Sequence, residues 1–209
     1  MDVNSLGEKP SEWKATFAAA AGWFADVVPY AVDMLDQPGL GEWTVRDLVG
    51  HTTRSLITIE DYLTDKTGGD VDLDTAVAYY AVTRDVDPAV VAERGRAASA
   101  ALGDDPVRFV TGLVGRVPAL VEAAPPDARL HTPFGSILLA EYVVTRTFEL
   151  TVHTCDLLRA LGRPADPPLD AARSALHLVA ELTARNVHAT DVLLALTGRS
   201  ALPEGFSAL

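Results

Sequence analysis

The chain's 209 residues favour one large domain, residues 1–209, over two small ones, and a hydrophobic fraction of 48% supplies enough apolar side chain to fill a helical interior. With 17 basic against 29 acidic residues, its formal charge of −12 repels a phosphate backbone and speaks against nucleic acid as a partner. Met1 to Pro10 lacks the basic start and apolar core of a secretion signal, and no apolar run reaches the roughly 18–20 residues that span a bilayer, so a cytoplasmic protein with no membrane partner is expected.

Apolar period, capping residues and the placement of Gly and Pro predict about six helical segments, an all-α fold with no strand-rich region and no internal repeat. Ser11 to Leu35 reads as a first helix, with Trp13, Phe17, Ala20, Phe24, Val27 and Val28 at spacings of three and four. The second helix opens at Trp43-Thr44-Val45-Arg46-Asp47-Leu48 and is expected to run to Leu63. Here Thr44 can cap the first turn, Asp47 can reach back as an acidic capping-box partner, and Trp43 can staple onto Leu48. Gly68-Gly69 breaks it. Leu73 to Leu102 is helical in composition, with a kink or restart at Asp87-Pro88.

Pro106 to Ala124 carries Gly112, Gly115 and Pro118, so a kink or break is expected within it. Pro125 to Gly135 reads as a loop. Ser136 to Leu161 then forms a long helix with no interior Gly or Pro, stopped by Gly162 with Pro164 beyond. A last helix from Leu169 to Asn186 leads into Asp191–Leu196 and a tail.

His51 falls beside the apolar stripe of the second helix, which contains Leu48, Val49, Leu56 and Ile59, and so points inward. Glu149 and His153 are four residues apart on the long helix and project from one face. A carboxylate set among Phe148, Leu150 and Val152 is costly unless it is paired, protonated or bound to a cation. Glu149 and His153 can give two ligands to one divalent ion, and His51 from a facing helix a third. Such a set leaves a coordination position open for water or substrate, as catalytic sites do. The plainer alternative is a hydrogen-bonded core histidine, His51, beside an ordinary helical Glu149–His153 pair.

The segment Glu42-Trp43-Thr44-Val45-Arg46-Asp47-Leu48-Val49-Gly50-His51 resembles the helix-opening motif of the mycothiol-dependent maleylpyruvate isomerase family, a branch of the DinB-like metal-binding bundles. Phe148-Glu149-Leu150-Thr151-Val152-His153-Thr154-Cys155-Asp156-Leu157, followed by Ala160-Leu161-Gly162, is similar to that family's second motif, and Leu193-Leu194-Ala195-Leu196-Thr197-Gly198-Arg199 to its later Leu-rich ending. The resemblance implies an antiparallel four-helix core with additional helices. It also implies a divalent ion, usually taken as zinc, on His51, Glu149 and His153. Isomerases of the family carry a further C-terminal domain that contributes to the active site, and this chain is expected to stop too early to complete it, which leaves maleylpyruvate itself open as a substrate.

The first functional reading is an enzyme in which the ion acidifies a thiol such as mycothiol, for isomerisation of, or transfer to, an electrophilic small molecule. A non-catalytic metal-containing module and a metal-dependent hydrolase are the alternatives. Exposed apolar residues on the first helix would support a homodimer. Cys155, two residues from His153, reads as core filler, and Asp156 either orients His153 or faces solvent. Arg54 meets an anionic substrate at the site's mouth or is a plain surface arginine, and Arg146 and Arg159 are expected on the surface or in salt bridges.

Overall fold

In the computed structural model, residues 12–64, 70–83, 88–185 and 188–208 are described. The elements are α1 (Glu12–Val27), a 3-10 turn (Val28–Met34), α2 (Val45–Thr64), α3 (Ala76–Thr83), α4 (Pro88–Ala101), α5 (Pro106–Ala123), β1 (Arg129–Thr132), β2 (Gly135–Leu138), α6 (Leu139–Ala160), α7 (Leu169–Ala184) and α8 (Ala189–Leu196). Helices α1 and α2 each pack against both α5 and α6, which makes these four the core of the bundle. The expected break at Gly68-Gly69 and the kink residue Asp87 lie outside the described residues.

Each core helix buries a stripe set by its 3.6-residue period. On α1 the stripe is Phe17, Ala20, Ala21, Phe24 and Val27, and on α2 it is Leu48, Val49, Leu56 and Ile59. Glu12–Met34 is long and apolar enough by composition to cross a membrane, against the expectation that no apolar run reaches that length. Its large apolar side chains Phe17 and Phe24 are spent on the bundle core. The interior also holds many threonines. Thr52, Thr53 and Thr151 satisfy their hydroxyls on the carbonyls of Leu48, Val49 and Thr147, one turn back.

Helices α2 and α6 run antiparallel, because His51 meets His153 near one end of their contact while Tyr142 donates to Thr58 Oγ1 at 2.9 Å further along. The first turn of α1 likewise meets the last turn of α5, where the Lys14 ammonium donates to the Glu122 and Ala124 carbonyls.

Three expectations are corrected. The first helix ends at Val27 and continues as the 3-10 turn, where Pro29 has no amide hydrogen for the α ladder. Pro118 does not break α5, which is continuous from Pro106 to Ala123. The expected loop and the start of the long helix are instead a hairpin, with Leu130 paired to Ile137 and His131 to Ser136, and α6 begins only at Leu139. Leu130 and Ile137 are both fully buried, so the hairpin plugs the bundle with its apolar face.

Candidate metal centre

The N-terminus of α2 is built as a capping box. The Thr44 hydroxyl accepts from the Asp47 amide at 3.2 Å, and the Asp47 carboxylate accepts from the Thr44 amide at 3.1 Å and from its hydroxyl at 2.7 Å. These bonds hold the Asp47 carboxyl below its usual range although partial burial opposes them. The cap fixes the direction of a helix that carries His51 less than two turns later. Trp43, beside the cap, lays its ring 4.4 Å from the His51 ring.

Helix α4 covers this region by close backbone approach. A Cβ at Gly50 would stand 2.5 Å from the Ser99 amide nitrogen, so only glycine lets α4 cross α2 there. Gly95, one turn earlier on α4, lies over the Trp43 and His51 rings.

Glu149 and His153 project together from α6, and His153 Nε2 lies 3.1 Å from Glu149 Oε2. The other Glu149 oxygen, Oε1, accepts a 2.6 Å hydrogen bond from the Tyr80 hydroxyl. His153 Nδ1 lies 3.2 Å from Asp156 Oδ2, so Asp156 takes the orienting position rather than facing solvent alone. The His51 and His153 rings meet edge to face with centroids 4.9 Å apart. One candidate ligand atom from each of His51, Glu149 and His153 can be chosen so that all lie within 4.8 Å of one another.

The charges of the three residues are matched. Burial disfavours the His153 imidazolium, yet hydrogen bonds to Asp156 and Glu149 outweigh it and raise the pKa to about 9. Glu149 is held well below its usual range, since its bonds to His153 and Tyr80 and the nearby Arg146 outweigh burial. His51 is pushed the other way, to about 4, by burial and then by the His153 charge. The set therefore holds one proton between Glu149 and His153 beside a neutral His51. Among the described residues, His51 Nδ1 is also buried without a hydrogen-bond partner. A carboxylate and two imidazoles converging from two helices, with a neutral ring poorly served by protein partners, fit a divalent cation in place of that proton.

The residues expected to converge do so, and two more join them. Tyr80, from α3, drew no notice in the sequence because nothing in its spacing links it to α6. Helix α3 is held on α6 by the Glu141 carboxylate, which accepts from the Ala76 amide at 2.8 Å. Arg146 corrects the surface expectation. Its guanidinium stacks 4.9 Å from the Tyr142 ring centre and 5.7 Å from that of Tyr79, inside the same region. Its signal was available, since Arg146 sits three residues before Glu149 on one helix face.

The profile of the family described as the mycothiol maleylpyruvate isomerase N-terminal domain matches residues 15–158. The chain belongs to that family. The match spans α1 through most of α6 and includes His51, Glu149 and His153. The crystal structure of a mycothiol-dependent maleylpyruvate isomerase superposes with a TM-score of 0.57 over 84% of this chain and 70% of its own, at 19% sequence identity. At that identity the likeness shows the fold, an all-α DinB-like bundle. Comparison with curated protein sequences gives no significant match.

Proposed function

We propose that this family member is a cytoplasmic, metal-dependent enzyme of one domain that uses a thiol such as mycothiol to isomerise, or to transfer the thiol onto, an electrophilic small molecule. The observation that carries the reading is the convergence of His51, Glu149 and His153 from α2 and α6, in a chain of the mycothiol isomerase family. These three would hold the ion, with zinc the first candidate. When bound, such an ion supplies a Lewis acid that lets a thiol be deprotonated at neutral pH, where a free thiol of pKa roughly 8.5 is mostly protonated.

The chain's own groups prepare that chemistry. Tyr80 holds Glu149 Oε1, which leaves Oε2 aimed at the centre. Asp156 accepts from His153 Nδ1 and so presents Nε2 to the same point. Trp43 and the α4 backbone at Gly95 cover the His51 ring and limit water on that side. An ion held by these three donors would keep a fourth coordination position for an exogenous ligand.

Cobalt substitution tests the reading. Adding a low-molecular-weight thiol to the cobalt-loaded protein is expected to produce a sulfur-to-metal charge-transfer band, and Glu149→Gln to weaken it. If thiols leave the spectrum untouched while small oxygen ligands change it, the thiol reading is wrong and a hydrolase takes its place. Thiol-dependent turnover of electrophilic substrates then separates an enzyme from a binding module.

A further inference from the structure

Glu149 and His153 each reach the candidate centre with a polar group behind them. The Tyr80 hydroxyl donates to Glu149 Oε1 at 2.6 Å, and Asp156 Oδ2 lies 3.2 Å from His153 Nδ1. His51 has no such support. Its Nδ1 is buried and, among the described residues, meets no hydrogen-bond partner. A metal-binding histidine almost always donates its second N–H to a carboxylate, a carbonyl or water, and that bond fixes the direction of the ring. What holds the His51 ring instead is aromatic contact, with the Trp43 ring at 4.4 Å, tilted by 38°, and the His153 ring at 4.9 Å, edge to face. Neither contact directs a particular nitrogen.

The missing partner has a place in the fold. Nδ1 lies against Gly95 of α4, where a Cβ would stand 3.9 Å from it and 3.5 Å from the Trp43 ring. Both are ordinary contacts, so space does not demand glycine at 95 as it does at Gly50, where the Cβ would meet the Ser99 backbone. The backbone does not demand it either, since Gly95 is not among the glycines with positive φ. Glycine inside a helix is unfavourable relative to alanine, yet it stands here, over the one imidazole that lacks an acceptor. With Nδ1 closed in against α4, Nε2 is the nitrogen left to the centre.

We propose that His51 is the exchangeable ligand of the centre, and that Gly95, by withholding a hydrogen-bond partner from Nδ1, is the positioning residue that keeps it so. Glu149 and His153 anchor the ion, while His51 Nε2 gives up its place to an exogenous oxygen or sulfur donor. One donor bond breaks and one forms; the ring keeps its proton on Nδ1, and nothing is oxidised or reduced. The centre can then hold a thiol together with an oxygen of its electrophilic partner, which three fixed ligands in a tetrahedral shell do not allow. The assignment rests on the triad holding an ion and deepens that reading.

Full-length protein loaded with cobalt tests it, with acetohydroxamate, which binds a metal through two oxygens, as the probe. Wild type is expected to show one paramagnetically shifted imidazole N–H proton signal from each of His51 and His153, the former assigned by its loss in His51→Gln. Saturating acetohydroxamate is expected to remove the His51 signal from the shifted region and to leave that of His153. Gly95→Ser places a hydroxyl within reach of Nδ1, whereas Gly95→Ala adds the same Cβ without an acceptor. Gly95→Ser is expected to bind cobalt about tenfold or more tightly than Gly95→Ala in competition with a chelator, and to keep its His51 signal in acetohydroxamate. A His51 signal that persists in saturated wild type overturns the proposal, and so does equal cobalt affinity in the two Gly95 variants. Should Gly95→Ser fail to fold, the wild-type signal alone decides. Protein that takes up no ion overturns the metal reading and this proposal with it, whereas cobalt bound with His51 fixed overturns the exchangeable ligand alone.

Discussion

Tyr80 and Asp156 each act on the candidate centre through a single hydrogen bond, one to Glu149 Oε1 and one from His153 Nδ1. Tyr80→Phe deletes only a hydroxyl, and Asp156→Asn only a charge. Each is expected to weaken divalent-ion affinity about 10- to 100-fold while leaving helix content unchanged, measured by competition with a chromogenic chelator. Undiminished affinity in both would assign the two residues to ordinary packing. The histidines also set a pH dependence in the metal-free protein. His51 is depressed to about 4, so its contribution to stability is present above its unfolded pKa of 6.5 and is lost as pH falls through about 4. His153 is raised to about 9, so its contribution is present below 6.5 and is lost as pH rises through about 9. Chelator-treated protein is therefore expected to be most stable between these limits, near the ordinary histidine pKa. Denaturant midpoints across pH check this, and His51→Leu should flatten the acid limb by up to about 1.4 kcal/mol per pH unit. An acid limb as steep in His51→Leu as in wild type would remove His51 as its source.

At the scale of elements, the start of α2 does two jobs. Thr44→Ala is expected to cost about 1 kcal/mol in stability and to weaken metal affinity as well, since the cap directs the helix carrying His51. A loss of stability with unchanged affinity would make the cap structural only. Gly50→Ala is harsher, because the new Cβ would overlap the α4 backbone at Ser99. A loss of roughly 1–3 kcal/mol in chemical denaturation is expected, and a neutral effect would mean α4 does not sit so close. The cap was legible in the sequence because a capping box is a local four-residue pattern. The hairpin was not. Its strands are four residues each, and Ile137-Leu138-Leu139 continues the apolar texture of α6, so period alone could not separate strand from helix. What decides it is tertiary: Leu130 and Ile137 are buried together, and the Asp72 and Leu73 amides both donate to the Ser136 carbonyl.

For the whole molecule, the helical order was readable from caps and from glycines such as Gly162, which ends α6 with φ at 65°. The four-helix pairing was not readable from period, since helix partners are chosen by long-range packing, and it entered as an expectation from family resemblance. The triad was legible for a related reason. Glu149 and His153 share one helix, whereas His51 needed the family motif to be placed opposite them. Arg146 was misread because an arginine on a helix suggests solvent unless its neighbours across the bundle are known. The function of this centre turns on whether the three converging donors hold a cation. Metal analysis of purified protein after reconstitution and desalting tests this directly, with His153→Ala measured alongside. About one divalent ion per chain in wild type and none in His153→Ala is the expected result. Wild-type protein that retains no ion, or a His153→Ala variant that retains as much as wild type, would contradict it.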